Sequence, residues 1–179
     1  MRATGTGWAT AEQTASQPQY EGEITNGKYS KGKEYEDDGR LKYEWEYLKG
    51  ERINGKEYNY YGSLKFEGEY LKGERNGKGK EYDYNGKLEF DGEYLNWRRW
   101  NGIVKEYNYK GELKIEGEYL NGKKWNGISY NIFGNIELNI NKGNGKGKVY
   151  YNNGKLEFEG EYLNGERNGK GKEYNDDGE

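Results

Sequence analysis

Paired carboxylates recur along the chain, and a pair of this kind can act as acid and base in glycoside hydrolysis. The pairs are Glu67/Glu69, Asp91/Glu93 and Glu159/Glu161. A catalytic pair needs one site in which the two pKa values are driven apart, whereas these pairs return in the same form in successive segments. The repetition therefore favours solvated charges on a structural surface. A strip of bound divalent cations is the alternative, and no metal-specific spacing supports it.

A second candidate for chemistry is the glycine-rich stretch Gly77-Lys78-Gly79-Lys80, which suggests a phosphate-binding loop. It lacks the spacing and the following helix of that motif, and it returns at successive turns, so it indicates turn chemistry. The chain has no histidine and no cysteine. Triads of the Ser-His-Asp and Cys-His types are thereby excluded, and the usual zinc ligands are missing. We expect a protein that is not an enzyme and that has no cofactor or metal.

The composition limits how thick the folded chain can be. Only 31% of the 179 residues are hydrophobic, against about 45–50% in ordinary domains. Aromatic residues nevertheless make up 16%, including 20 tyrosines. A thin, extended sheet with stacked rings fits both facts. The net charge of −3, with both signs interspersed, argues against a nucleic-acid partner, which would require a dominant basic surface.

The sequence also gives no indication of a signal peptide or of a membrane-spanning segment. The first residues contain no apolar stretch of the kind found in signal peptides, and no segment is apolar enough to cross a bilayer. The lack of cysteine implies no oxidising compartment. We therefore expect a soluble, cytoplasmic protein, in which residues 1–19 form a flexible polar leader.

The elements that position these groups follow from an internal repeat. An aromatic or aliphatic residue followed by Glu-Gly-Glu-Tyr-Leu returns about every 23 residues. Good copies start at residues 66, 90, 115 and 158, and degenerate copies start near residues 20, 43 and 138. A period of this size is typical of an array whose units bury surface against their neighbours. Residues 20–179 are predicted to form that array.

Each repeat contains two strands by the period-2 rule. In residues 88–111, Phe90 and Tyr94 share one parity and acidic residues occupy the other. Further along, Tyr107 and Tyr109 alternate with Glu106 in the same way. The predicted fold is all-β: an elongated, single-layer antiparallel β-meander or solenoid of about seven 23-residue hairpin repeats.

Two kinds of turn join the predicted strands. Asn/Asp-Gly pairs are typical of short, tight hairpins. They occur at Asn85-Gly86, Asp38-Gly39, Asn153-Gly154 and Asp177-Gly178. The other kind is predicted to be longer, as in residues 73–77. A recurrent glycine on the aromatic face, for example Gly68, leaves room for a ring from an adjacent strand.

This pattern of an aromatic residue, Glu-Gly-Glu-Tyr, a turn and Asn-Gly-Lys-Gly resembles the MORN repeat (membrane occupation and recognition nexus). The best copies are residues 66–89, 90–114 and 158–179. Tyrosine stands where the commonest form has tryptophan, which is similar to a variant subgroup found in bacterial, protist and large-virus proteins. The resemblance implies a non-catalytic array that acts as a scaffold, dimerises or holds a partner. Phosphoinositide binding and an antitoxin-like role have been attributed to some members.

The chain departs from its own repeat at two turns, which together define a candidate binding ridge. Its members are Trp97, Arg98, Arg99, Trp100, Lys123, Lys124 and Trp125. Trp and Arg are enriched at binding hot spots, and such a ridge suits a protein, an acidic peptide or a lipid headgroup. The structural alternative is that the rings cover the open end of the sheet or stack on the guanidinium groups.

Three further departures concern the shape and ends of the array. Trp45 replaces a packing glycine, and we expect it to cap one end. The sixth unit, residues 138–143, is shortened and is expected to bend the array or mark an interface. The last residues lie in a turn without an obvious cap, and an uncovered strand edge invites pairing, so we expect either dimerisation or continuation of a longer array.

Two functions from different classes remain open. The first is a structural or protein-interaction scaffold, which binds a partner through the ridge or associates with itself through the array ends; an antitoxin-like, partner-neutralising protein is a version of it. The second is a phospholipid-associating module. Interspersed glutamates oppose the clustered positive charge that anionic lipid requires, so the scaffold is favoured.

Overall fold

The computed structural model describes residues 7–10, 20–131, 133–151 and 155–177, with side chains from residue 20 onward. All regular elements in this described part are β-strands. No helix long and apolar enough to cross a membrane occurs among these residues.

The described residues form fifteen strands. In chain order they are β1 Gly7–Thr10, β2 Tyr20–Thr25, β3 Lys28–Tyr35, β4 Leu41–Leu48, β5 Glu51–Tyr58, β6 Leu64–Leu71, β7 Glu74–Tyr82, β8 Leu88–Leu95, β9 Arg98–Tyr107, β10 Leu113–Leu120, β11 Lys123–Tyr130, β12 Ile136–Asn141, β13 Asn144–Tyr150, β14 Leu156–Leu163 and β15 Glu166–Glu173.

The strand order follows the chain order, and the registered pairs are antiparallel. This arrangement confirms the predicted all-β meander of hairpin repeats. The chain divides into two compact units, which are described separately. Unit 1 holds the described residues up to Leu88 together with Glu93–Trp97, and unit 2 holds Glu89–Gly92 together with the described residues from Arg98 onward.

The two kinds of turn are the reverse of the prediction. Leu71 pairs directly with Glu74, so only Lys72 and Gly73 form the turn that was expected to be long. Both residues have positive φ angles, +52° and +84°, as the tight hairpin with a matching twist requires. We call the edge formed by these turns the tight-turn edge. It carries the β2–β3, β4–β5 and later turns of the same kind in each unit.

The Asn85-Gly86 site belongs to the longer connection, which runs from Asp83 to Lys87. The Asp83 N–H donates to the Lys87 carbonyl (2.9 Å), and the Gly86 N–H donates to the Asp83 carbonyl (3.0 Å). The prediction of a tight turn here is wrong because an Asp or Asn side chain at the loop start closes a wider loop. We call this edge the loop edge. Residues 153, 154 and 178 of the analogous predicted turns lie outside the described residues.

The second glycine of the supposed long turn belongs to a β-bulge. Between the Gly68–Gly79 and Tyr70–Arg75 pairs the register shifts, which leaves Gly77 with a φ of +94°. The backbone N–H of Lys78 donates to Glu69 Oε2 at 3.1 Å. A Cβ atom on Gly77 would press into that same carboxylate. The bulge therefore requires glycine, and the Glu69 side chain fastens it.

The core of unit 1 is built from rings that lie over paired glycines. Phe66 is fully buried, and a Cβ on Gly79 of the adjacent strand would come within 2.7 Å of its ring. Tyr94 meets the Phe66 ring edge-on at a centroid distance of 5.1 Å. Gly68 does leave room for a ring, but the ring is that of Phe66 on the same strand, so the expectation of a ring from an adjacent strand is wrong at this position.

Trp45 is a core residue rather than an end cap, so that prediction is wrong. It pairs with Gly32 of β3 on one side and Gly55 of β5 on the other. Its buried ring stacks on Tyr43 (5.0 Å) and meets Tyr70 edge-on (4.8 Å). The indole fills the space over Gly55.

In unit 2 the shortened sixth repeat is a regular hairpin. Strands β12 and β13 pair from Leu138–Gly147 to Asn141–Asn144 without a register shift. The repeat is shorter because it lacks the bulge and because β12 has six residues where the first strands of the neighbouring repeats have eight. Leu138 and Ile140 are buried with residues of β14. The expected bend or interface at this repeat stays a prediction.

Successive tight turns of unit 2 are joined by backbone hydrogen bonds. The Gly122 N–H donates to the Trp100 carbonyl (2.9 Å), and the Gly143 N–H donates to the Trp125 carbonyl (2.7 Å). The Gly165 N–H continues the series to the Gly143 carbonyl (2.8 Å). The spacing of the hairpins on this edge is thus set by direct bonds between neighbouring repeats.

Part of the predicted leader is structured. Strand β1 pairs with β2, from Gly7–Ile24 to Thr10–Glu21. Residues 1–6 and 11–19 lie outside the described residues, and the flexibility expected of the segment stays a prediction.

Candidate binding surface

The aromatic face of unit 1 contains a buried ion pair that the sequence analysis missed. Glu57 pairs across the sheet with Phe66, which places its carboxylate on the aromatic face. Arg75 donates from Nε and Nη2 to the two Glu57 oxygens, both at 2.7 Å. Only 8% of Glu57 and 7% of Arg75 is exposed. This bidentate geometry is the strongest form of such a pair.

Tyr70 completes the site by donating its hydroxyl to Glu57 Oε1 at 2.5 Å. Burial raises the pKa of Glu57, but the hydrogen bonds from Arg75 and Tyr70 outweigh it and hold this pKa below its usual value. Burial and the Glu57 carboxylate raise the pKa of Tyr70. The carboxylate stays ionised and the phenol stays protonated, so these groups are fixed in structural roles.

An arginine over a ring recurs at the equivalent place in other repeats. Arg52 lies 4.4 Å from the Trp45 centroid and Arg75 lies 4.0 Å from that of Phe66. In unit 2, Arg99 is 5.2 Å from Phe90 and Arg167 is 4.6 Å from Phe158. The signal in the sequence was a basic residue two places after the tight turn, matched by a glutamate late in the second strand.

The opposite face carries a second recurrent pair, between a tyrosine of the second strand and a glutamate of the first. The Tyr82 hydroxyl donates to Glu67 Oε1 and that of Tyr58 to Glu44 Oε2, both at 2.7 Å. In unit 2, Tyr130 donates to Glu116 at 2.8 Å. The repeated glutamates are therefore only partly solvated. No group of three or more potential metal ligands occurs in the part of the chain that the structure describes.

The ridge residue of unit 1 is Trp97, which lies in a tight turn next to Asn96. Its backbone has a φ of +70°, whereas the other tight turns with described residues have glycine at this place. The Trp97 N–H donates to the Arg75 carbonyl at 3.0 Å. Its ring meets Tyr70 edge-on at 6.3 Å, and 51% of the residue stays exposed.

The other ridge residues belong to unit 2 and lie at the starts of β9 and β11. Arg98 is exposed, whereas Arg99 is mostly buried and pairs with Glu106 (3.5 Å) and Glu89 (3.9 Å). The ring of Trp100 lies against Gly122 in the next tight turn. The predicted turn that included Arg98, Arg99 and Trp100 is thus the beginning of a strand.

In β11, Lys123 is exposed and pairs with Glu166 at 2.9 Å. Lys124 pairs across the hairpin with Tyr119, and Trp125 is the bulged residue between that pair and the next. A β-bulge changes the direction in which a side chain points. The side chain of Trp125 therefore does not follow the alternation between the two faces of the strand. The structure therefore places the unit 2 members at successive hairpins of one edge, and their binding role stays a prediction.

A second surface escaped the sequence analysis. Each described connection of the loop edge from residue 59 to residue 135 has an exposed ring. These rings are Tyr60, Tyr61 and Tyr84 in unit 1, and Tyr109 and Phe133 in unit 2. The signal was present as an aromatic residue between Asn or Asp and the loop glycine.

Comparison with known proteins supports the resemblance in two segments. The family model of the MORN repeat matches residues 66–87 and 158–179. The chain contains MORN repeats. No curated protein matches it significantly. Among solved structures, a chain in the crystal structure of TcdB2-TccC3-TEV is 14% identical, with a TM-score of 0.28. That match covers 86% of this chain but only 9% of the other.

The two matched MORN repeats share one local device. Each has a wide bulge whose glycine, Gly77 or Gly169, has a positive φ angle, +94° and +70° respectively. Next to each glycine lies the carboxylate of the second glutamate of the motif, Glu69 or Glu161. The Asn-Gly-Lys-Gly part of the MORN motif is thus explained by this bulge.

Proposed function

We propose that this MORN-repeat array is a non-catalytic scaffold that holds a protein partner, with Trp97 as an anchor. The observation that carries the proposal is the conformation of Trp97. A tryptophan in the left-handed region costs about 1–2 kcal/mol relative to glycine. The ring contacts Tyr70 edge-on and lies 5.9 Å from the Arg75 guanidinium, yet half of the residue stays exposed.

Backbone strain of this kind is typical of functional positions. Tryptophan is also among the residues that dominate binding energy when a partner buries them. The Trp97 ring is held by a turn whose N–H is bonded to Arg75, so little conformational freedom remains to be lost on binding. These features support a protein contact at this turn.

The absence of catalysis is part of the proposal. The charged groups on the aromatic face of unit 1 form ion pairs with one another, as Glu57 and Arg75 do. The chain has neither histidine nor cysteine. The proposal also takes the protein to be cytoplasmic, which fractionation of the source cell would test.

Lipid binding is the weaker candidate. Arg99, one of the four cations proposed to meet headgroups, is engaged by two glutamates and lies over Phe90. Lys123 is paired with Glu166. Such pairing leaves less positive charge for a headgroup than the sequence alone indicated.

The test is a pull-down from the source cell with the full chain and with Trp97→Gly. This variant restores the glycine found in the other tight turns, so relief of strain offsets the lost ring contacts and the fold is expected to keep its stability within about 1 kcal/mol. We expect one specific protein to disappear. Leu163→Ala, an exposed residue before a tight turn of unit 2, is the matched control and should leave the pattern intact.

A pattern that Trp97→Gly leaves unchanged would refute the anchor role. Co-sedimentation with vesicles that contain phosphoinositide separates the lipid alternative. Pelleting that is abolished by Arg98→Glu with Arg99→Glu would favour lipid over the protein scaffold.

A further inference from the structure

The loop edge of unit 1 presents exposed aromatic rings on two successive connections. Tyr60 and Tyr61 lie in the loop between β5 and β6, and Tyr84 lies in the loop between β7 and β8. Tyr61 is 82% exposed and Tyr84 is 56% exposed. Rings that are this exposed contribute little to the core, so their positions call for another explanation.

Each loop that carries the rings is closed by hydrogen bonds to the side chain of its first residue. Asn59 Oδ1 accepts hydrogen bonds from the backbone N–H groups of Tyr61 (2.9 Å) and Ser63 (3.0 Å). Asp83 Oδ1 accepts from Asn85 and Lys87 in the same way, both at 2.8 Å. The backbone positions that carry the exposed tyrosines are thus ordered before any ligand arrives, which lowers the entropic cost of binding.

The neighbouring loop, Glu36–Arg40, adds a clamp and a negative charge. The Arg40 guanidinium lies 3.7 Å from the Tyr60 centroid and donates to the Tyr60 carbonyl at 2.8 Å. Arg40 is neutralised by its ion pair with Asp38 (2.7 Å). The loop holds three carboxylates and one guanidinium, and the Lys42 ammonium pairs with Glu36 at 3.2 Å. Three carboxylates therefore face two cations, and the end of the tyrosine row keeps one net negative charge.

The spacing of the loops matches the repeat of one ligand conformation. Two strands separate successive loops, which places them about 9.6 Å apart at the usual strand spacing. A polyproline II helix has three residues per turn and a rise of 3.1 Å, so it repeats every 9.3 Å or so. A ligand in this conformation presents an equivalent residue to each loop, and contact with two loops needs only one turn of the helix.

We propose that the loop edge of unit 1 binds a proline-rich segment in the polyproline II conformation. Its prolines stack on Tyr60, Tyr61 and Tyr84, and a flanking arginine or lysine meets the Glu36–Arg40 loop. Aromatic surfaces recognise such segments because the ligand is already ordered before binding. The inference rests on the proposed scaffold function and names a class of partner at a surface separate from Trp97.

The experiment is a fluorescence anisotropy titration of the full chain against a labelled synthetic peptide with Pro-Pro-Xaa repeats and an arginine pair at one end. We expect saturable binding that Tyr61→Ala or Tyr84→Ala weakens at least about tenfold, the effect of truncating an aromatic hot spot. Both side chains are exposed, so the variants should fold. Leu71→Ala, an exposed residue on the tight-turn edge of the same unit, is the matched control.

A second peptide, with Gly-Ser in place of the prolines and the same arginine pair, separates ring stacking from charge. Equal affinity for the two peptides, or wild-type affinity in Tyr61→Ala, would overturn the proposal. Asp37→Lys should weaken the arginine-flanked peptide and reduce the salt dependence of its binding. The Trp97→Gly pull-down is independent of this edge, so either idea can fail while the other stands.

Discussion

At the residue scale, the most consequential contact is the buried pair of Glu57 and Arg75. A buried ion pair is a weak source of net stability, but removal of one partner leaves an uncompensated charge. Here the remaining guanidinium would lie over the Phe66 ring, where little water reaches it. Glu81, at 3.5 Å from Arg75 Nη1, offers only partial compensation.

We therefore expect Glu57→Gln to lower the free energy of unfolding by about 3 kcal/mol or more, measured by urea denaturation. The matched control is Glu67→Gln, which removes a carboxylate from the opposite face and should cost about 1 kcal/mol. Because the pKa of Glu57 is lowered by folding, its contribution is fully present above the unfolded pKa of about 4.3. The contribution is lost as the pH falls through the folded-state pKa.

The difference in stability between the parent chain and Glu57→Gln should accordingly shrink when the titration is repeated below about pH 4. If the difference in the free energy of unfolding were independent of pH, the negative charge of the Glu57 carboxylate would not be the source of its stabilising effect.

At the scale of the element, the tight turn and its bulge explain why each matched repeat needs two glycines after its first strand. Gly73 and Gly77 both have positive φ angles. They differ in surroundings: a Cβ on Gly73 would meet open space, whereas one on Gly77 would press into the Glu69 carboxylate. Substitutions at Gly73 and Gly77 therefore distinguish the effect of backbone strain from the effect of close contact with a neighbouring side chain.

Gly73→Ala should cost about 1 kcal/mol from the left-handed backbone alone. Gly77→Ala should cost about 1 kcal/mol more, because the Glu69 side chain must also leave its bond to the Lys78 N–H. Thermal unfolding of both variants measures the difference. Equal losses of stability would mean that the Glu69 contact contributes nothing to the bulge.

The sequence predicted where the strands lie better than it predicted which residues of each second strand lie on the buried face. Alternation revealed β7, yet it did not say which parity is buried. The deciding feature is the pairing of Gly79 with Gly68, which puts Glu81 on the aromatic face and Tyr82 opposite. A bulge controls that pairing, and its position depends on hydrogen bonds such as the one from Lys78 to Glu69. The alternation of hydrophobic residues in a sequence does not reveal such hydrogen bonds.

The candidate surfaces were likewise foreseen in part. Trp97 stood out because it breaks the repeat, but its left-handed backbone became evident only when the turn was found to be two residues long. Arg99 was taken for a surface cation, although its place in the repeat corresponds to the core-facing Arg75. The tyrosines of the loop edge were overlooked because repetition made them look like packing residues.

At the scale of the whole molecule, a repeat array is stabilised mainly by contacts between neighbouring units. Phe66 is fully buried, and Phe66→Ala should lower local stability by about 3–5 kcal/mol. We expect faster hydrogen exchange in β6, β7 and their immediate neighbours, with β14 and β15 unchanged. A uniform increase along the chain would indicate global cooperativity instead of the nearest-neighbour behaviour of a linear array.

The hydrogen bonds that run from turn to turn in unit 2 bear on how the repeat can vary in length. Gly122, Gly143 and Gly165 are each bonded to the preceding hairpin, so an extra residue at these corners would break a bond on both sides. The twenty-residue sixth repeat shows the permitted alternative, since it lost its bulge and kept its corner. Insertions and grafted sequences therefore belong on the loop edge of this unit, in connections such as Asn108–Glu112 and Asn131–Asn135, where Asn108 and Asn131 close the loop through their own side chains.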